Sequence, residues 1–278
     1  MSPHLFFCLP PSEIAAADLK IDANSNLAAF LGDPKFPHTI MSAGRGERII
    51  RLQDLYKTYS GLEFTRAHDR PIAMDGIYSR LLKAFDAKGG YGMFDQGEQN
   101  LGLLRRILLW YRPDDTPTLD RIQFPQGQAV PPSWSLMAYM GRIDFLWLKF
   151  DGIEWKSLRS PWCEKRGPTD SGDMALRGRV RDIIAGFAGT EDEGKLQFDI
   201  PSEQPSNRIG MQCVVLGVEH DRVPPRALAD RRHYFLIVRP IETQYLMQLG
   251  GSRVYERVGA GYLPGRFVTP ERDEVQIL

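Results

Sequence analysis

The apolar residues change period along this chain. Ahead of the stretch 131–150, PPSWSLMAYMGRIDFLWLKF, they repeat with a helical spacing; behind it they fall into short, turn-bounded runs. That switch constrains the fold class, because a helix-period stripe buries one face of a helix, whereas short β-branched and aromatic runs bury as strands.

In the front part, Leu52, Leu55, Tyr56 and Tyr59 stand at i, i+3, i+4 and i+7. They predict a helix over 47–60 that Gly61 ends. Met74, Ile77, Tyr78, Leu81, Leu82 and Phe85 predict a second over 69–87. Asp69 is placed to cap it, Pro71 sits in the first turn where its missing N–H costs little, and Gly89-Gly90 should stop it. The third predicted helix, 97–111, is apolar almost all round, with only Arg105 and Arg106 breaking the run. Such a helix is buried on several sides. Before these, Ser12 can open a helix through Glu13 to Ala17, and 32–38 and 42–46 read as loop. The abrupt start gives the expectation that the chain begins inside an ancestral domain.

Pro131-Pro132 excludes a helix interior, and the back half then reads as strands. Runs 143–150 and 153–158 flank Asp151-Gly152, a two-residue hairpin signal. Runs 180–184 and 196–200 bracket an acidic turn at 190–194. Runs 211–218 and 234–238 enclose a polar loop at 220–232, and 254–258 and 266–268 enclose the glycine cluster 259–261. The expected fold is α+β: a helical N-terminal half (1–115) packed against an antiparallel β-rich C-terminal module (116–278), as one continuous globular unit.

Among 278 residues, 35 basic and 35 acidic side chains cancel, which argues against a dedicated nucleic-acid binder. No apolar run approaches the roughly 20 residues of a membrane-spanning helix. Three widely spaced cysteines, Cys8, Cys163 and Cys213, suit neither a disulfide framework nor a zinc knuckle, and a reducing cytoplasmic setting is expected. Neither a metal nor a cofactor is expected.

Residues with possible chemistry each have a plainer reading. His68-Asp69 and His220-Asp221 are acid/base pairs only by adjacency, and caps or solvated turns outweigh that. Cys163 precedes Lys165 and Arg166, cations that lower a thiol pKa, yet an inert thiol is the weightier reading. Arg222, Arg226, Arg231 and Arg232 are interleaved with acids and read as a solvated face. Glycines 259 and 261 lack the spacing of a dinucleotide fingerprint. Trp134, held between Ser133 and Ser135, reads as a core plug whose indole N–H needs a partner. As the alternative, Trp134 and Trp147 contact a ligand.

Two blocks carry a family resemblance. In YSGLEFTRAHDRPIAMDGI (59–77), the pattern falls on Tyr59, Ser60, Phe64, Thr65, Asp69, Arg70, Ala73, Gly76 and Ile77. The second block is LLRRILLWYRP (103–113), with Trp110, followed by PPSWSLMAYMGRIDF (131–145), with Ser133, Trp134, Ser135 and Gly141. Together with the tail YERVGAGYL (255–263) they resemble the region that follows the HET domain in fungal heterokaryon-incompatibility proteins. The second Trp of that family's Pro-Ser-Trp-Ser-Trp segment is Leu136 here, and the blocks that mark the HET domain itself are absent. The resemblance implies a non-catalytic regulatory or interaction region with an unidentified protein partner, acting in self/non-self recognition and cell-death signalling. On that reading the motif residues are structural, with no catalytic, cofactor-binding or metal-binding residue. The alternatives are a small-ligand-binding β module, or a hydrolase built on Cys163 or an acid pair.

Overall fold

The computed structural model describes residues 40, 42–97, 102–163, 174–184, 186, 194–203, 210–220, 226–241 and 253–278. The Ser12–Ala17 helix, the 32–38 loop, the turn residues 190–193, Cys8, Asp221 and Arg222 lie outside them.

Helix α1 (Arg45–Ser60) begins two residues ahead of the sequence expectation and buries Ile49, Leu52, Leu55, Tyr56 and Tyr59. Each such side chain contributes about 1.5–3 kcal/mol when fully buried. Gly61 caps its C-terminus: its N–H donates to the Thr58 carbonyl, and the next N–H, that of Leu62, to the Tyr59 carbonyl. Helix α2 (Arg70–Ala84) buries Met74, Ile77, Tyr78 and Leu81. Asp69 does occupy its N-cap, but its side chain caps nothing: a 3-10 turn, Ala67–Asp69, runs straight into the helix with Asp69 already in the right-handed region. Phe85 ends α2; Gly89-Gly90 belongs instead to strand β1 (Lys88–Gly90), hairpinned to β2 (Met93–Asp95).

The third helix is shorter than its apolar run. Helix α3 is Gly102–Leu108, and the next residues form strand β3 (Trp110–Tyr111) paired with β6 (Asp144–Phe145). Cross-strand pairing thus overrides helix propensity at Trp110. Strands β4 (Asp120–Arg121) and β5 (Tyr139–Met140) make another small ladder.

The remaining strands are β7 (Ile153–Trp155), β8 (Leu158–Arg159), β9 (Leu176–Asp182), β10 (Lys195–Phe198), β11 (Gln212–Glu219), β12 (Arg232–Pro240), β13 (Val254–Pro264) and β14 (Glu274–Ile277). They form one sheet whose pairing closes on itself: β11–β12–β13–β14–β9 and back to β11. All these pairs are antiparallel except β13–β14. Alternation sorts the side chains to two faces. Val214, Leu216, Leu236 and Val238 join the large core shared with the helices, while Cys213, Val215, Phe235 and Ile237 join a second, smaller core. The class is α+β.

Three strand expectations fail for physical reasons. Asp151-Gly152 does turn sharply, with Gly152 at φ +82°, but no hairpin follows. The carbonyls of Leu148, Lys149 and Phe150 accept from the Arg106 guanidinium, and those of Lys156 and Leu158 from Arg105. The carbonyls of 148–150 are therefore taken, and β7 pairs with β11 instead. The run 254–258 does not stop at the glycine cluster; β13 continues to Pro264 because Gly259 and Gly261 let β10 cross closely. A Cβ at either would overlap a carbonyl oxygen of Gln197 or Lys195. The run 266–268 is mostly the 3-10 turn Gly265–Phe267, and Val268 makes only an isolated bridge to Ile183.

Candidate functional site

Most residues of the resemblance meet in one buried seam between the helices and the closed sheet. Ser60 ends α1 with its hydroxyl inward: it donates to the Lys57 carbonyl at 2.7 Å and accepts the Ile143 N–H at 2.9 Å. Tyr59 donates to the Arg70 carbonyl and packs edge-on against Phe64. Trp110 and Trp134 are fully buried. The Trp110 indole N–H donates to the Trp134 carbonyl at 3.1 Å, and that of Trp134 to the Met174 carbonyl at 3.2 Å. Tyr91 and Trp162 stand edge-on to Trp134.

The two serines that flank Trp134 do separate work. Ser133 donates to the Leu278 carbonyl and accepts the Arg257 N–H at 2.8 Å, tying the 131–150 stretch to β13 and β14. Ser135 donates to the Tyr91 carbonyl and accepts the Met137 N–H, capping the turn Leu136–Ala138. Thr65 and Gly76 are exposed, Asp69 is half-buried with its carboxylate 3.7 Å from His68, and Gly141 holds a left-handed φ of +114°.

Two buried guanidiniums have opposite environments. Arg257 faces Asp199 through two hydrogen bonds of 3.1 and 3.2 Å and donates to the carbonyls of Leu108 and Trp110. Its guanidinium carbon lies 3.2 Å from the Trp110 ring centroid. Burial pushes the Asp199 carboxyl up, against the pull of Arg257. Arg70 is equally buried but has no carboxylate partner among the described residues. Its Nη1 meets the Met140 sulfur at 3.6 Å, the Tyr59 ring lies 5.3 Å off, and its Nε has no hydrogen-bond partner. Burial lowers its pKa to about 10. Desolvation without a counter-charge makes Arg70 a costly residue.

Beside the seam lies a cleft of about 560 Å³. One wall is α2, through Pro71, Ile72, Met74, Asp75, Tyr78, Ser79 and Leu82; the opposite wall is the hairpin segment 89–92. Gln128, Ala129, Pro131 and Met137 complete the lining. The Tyr78 hydroxyl donates to the Met93 carbonyl at 2.5 Å, which locks helix to hairpin. Burial first, then Asp75, raises its pKa. A largely apolar concavity with a few polar groups suits binding. No sequence signal points to it, since its floor uses the same helical stripe that builds the core.

Trp134 and Trp147 are not brought together: the first is sealed, the second is 73% exposed, and neither lines the cleft. Cys163 is half-buried and Cys213 buried, and neither is in a disulfide; burial raises the Cys213 pKa. Arg226 holds buried Glu219 at 2.7 Å, and Arg231 lies 3.4 Å from His220. Among the described residues, no group of three potential ligands is placed to hold a metal ion, and no helix is long and apolar enough to cross a membrane. Compared with known proteins, the chain matches no family model, no curated protein and no solved structure.

Proposed function

We propose that this chain is a binding module rather than a catalyst, comparable to the region that follows the HET domain in heterokaryon-incompatibility proteins, and that a protein partner docks in the cleft along α2. In this reading the front of the chain is a helical layer on the β-rich module, and the whole acts in the cytoplasm in self/non-self recognition. The cleft carries the proposal. It is a concave, mainly apolar surface set on a rigid wall, because the Tyr78–Met93 bond fixes helix to hairpin and the Ser135–Tyr91 bond fixes hairpin to seam. The residues of the resemblance supply support beneath it rather than reactive groups: Ser135, Trp134 and Tyr59 have their polar atoms engaged by backbone.

A site-directed test uses a photo-crosslinking amino acid at Ser79, an exposed residue of the cleft, with Glu271 as a distant control. In fungal cells, the Ser79 position should give one discrete protein adduct, the Glu271 position should not, and Ile72→Glu should abolish it. Identical adducts at both positions, or none from Ser79, would overturn the reading.

A further inference from the structure

We infer that the occupant of the cleft is an amphipathic helix of the partner, two to three turns long, laid along α2 with a basic side chain against Asp75; this rests on the binding reading above. Length and volume set the scale. The α2 wall of the cleft runs from Pro71 to Leu82, about 16 Å at the helical rise of ~1.5 Å per residue. A helix of that length, with its side chains about 10 Å across, fills roughly 1,300 Å³. The cleft holds about 560 Å³. It therefore takes one face of such a helix and leaves the other in water, which is the division an amphipathic sequence satisfies.

Two other occupants fit less well. A small ligand needs most of its surface covered, yet Ile72, Asp75, Ser79 and Ala129 in the lining are exposed. An extended peptide needs main-chain partners for its own N–H and C=O groups, and the lining has few to give. The carbonyls of Tyr91 and Gly92 accept from the hydroxyls of Ser135 and Tyr56, and that of Met93 accepts from Tyr78. The Gln128 N–H donates to the Pro125 carbonyl, and Pro131 has no N–H. A helix bonds its backbone within itself and asks for side-chain contact alone, the mode in which apolar residues at i, i+3, i+4 and i+7 enter a groove. Met74 and Met137, both buried, give the cleft adjustable side chains for those residues to pack on.

Charge fixes one more position. Asp75 is the single charged residue lining the cleft; it is exposed and forms no ion pair among the described residues. A Lys or Arg flanking the apolar stripe of the incoming helix places its cation there, and a Glu at the same point is repelled.

The test uses the full chain, isotopically labelled for amide NMR, and the probe acetyl-Gln-Leu-Gln-Gln-Leu-Leu-Gln-Arg-Leu-Gln-Gln-Ala-amide, whose leucines fall at i, i+3, i+4 and i+7. Three variant peptides replace the central, outward glutamine by proline, move the same leucines to alternate positions, or replace the arginine by glutamate. Indole serves as an apolar probe without a helix. The parent peptide should shift the amides of Ile72, Asp75 and Ser79 and leave those of Gln212–Glu219 unmoved. The proline peptide should bind about a hundredfold more weakly, the scale of a proline inside a helix. The alternating peptide should also bind more weakly. The glutamate peptide should lose about threefold, as an exposed ion pair does, and Asp75→Asn should bring the arginine and glutamate peptides level. If the proline or the alternating peptide binds as tightly as the parent, or only indole shifts the cleft amides, the helical occupant is overturned and the cleft reading stands. If the arginine and glutamate peptides bind the unaltered chain alike, the pairing with Asp75 is overturned. If neither peptide nor indole shifts these amides, the binding reading fails as well.

Discussion

Arg257 is the residue on which the two layers depend. It sits in β13, yet its guanidinium donates to carbonyls at the end of α3 and on β3, and to Asp199 just after β10. Arg257→Met should cost about 3–5 kcal/mol, because removing one member of a buried pair strands the other charge. Adding Asp199→Asn should recover part of that loss. Urea melts of the single and double variants check it, and an Arg257→Met midpoint equal to that of the parent chain would show that the pair contributes nothing. His233 gives a pH-dependent counterpart. It is buried and its Nδ1 lies 2.9 Å from the Arg231 carbonyl oxygen. Desolvation lowers its pKa below the usual 6.5, outweighing that hydrogen bond. A depressed histidine pKa means that the unfolded chain binds more protons as the pH falls. Its stabilising contribution is therefore present above pH 6.5 and is lost as the pH drops below it toward the lower folded value. Melting temperatures between mildly alkaline and mildly acidic pH should fall less in His233→Gln than in the parent; equal slopes would refute this. The sequence marks Trp134 as a plug needing an indole partner, and Trp134 is one. It gives no sign that Arg105, Arg106 and Arg257 are buried, because a guanidinium looks solvated until the carbonyls that satisfy it are placed around it.

Among the elements, β10 and β13 show how a glycine pair decides a topology. Gly259 and Gly261 stand opposite Phe198 and Leu196, where a side chain would overlap the backbone oxygens of Gln197 and Lys195. Gly261→Ala should destabilise by about 1–3 kcal/mol, the range for overpacking, since a carbonyl in a ladder yields less readily than a side-chain tip. Hydrogen exchange should quicken in Lys195–Phe198 more than in Gln212–Glu219; uniform protection across both strands would sink the idea. The helices α1 and α2 were legible because their stripes are periodic and their ends carry Gly61 and Pro71. The C-terminal end of α3 was not, since an apolar run serves equally as buried helix or strand and only the pairing of Trp110 with Phe145 decides. The Asp151-Gly152 turn was legible as a turn and misleading as a hairpin: local chemistry bends the chain, but Arg106 takes the carbonyls that a ladder needs. The cleft was illegible, because it forms only when α2, the 89–92 segment and Gln128–Pro131 converge from distant parts of the chain.

At the scale of the molecule, the seam makes a specific claim about cooperativity. The helices and the closed sheet share one core containing Leu52, Leu81, Ile107, Trp134, Val214, Leu236 and Ile277. Polar links cross the same boundary: Ser133 with Leu278 and Arg257, Arg257 with Leu108 and Trp110, and Arg105 with Lys156. Layers joined by a continuous apolar core and buried hydrogen bonds should not unfold separately, because opening either one exposes the apolar face and unpaired polar groups of the other. Two probes report on the two sides. Trp110 and Trp134 are fully buried in the seam and supply a fluorescence signal that changes when it opens. Cys213 is fully buried in the second core of the sheet, remote from the helical face, and burial raises its thiol pKa, so it should resist alkylation until that core is breached. Cys163, half-buried, should react in the folded chain and can be blocked first. The expected result is one transition in urea, with the fluorescence midpoint and the onset of Cys213 labelling coincident. A fluorescence change that precedes Cys213 labelling would mean that the helical layer leaves a standing sheet, and labelling that precedes the fluorescence change would mean the reverse. Either result would divide the chain into two folding units and remove the seam as the element that unites them.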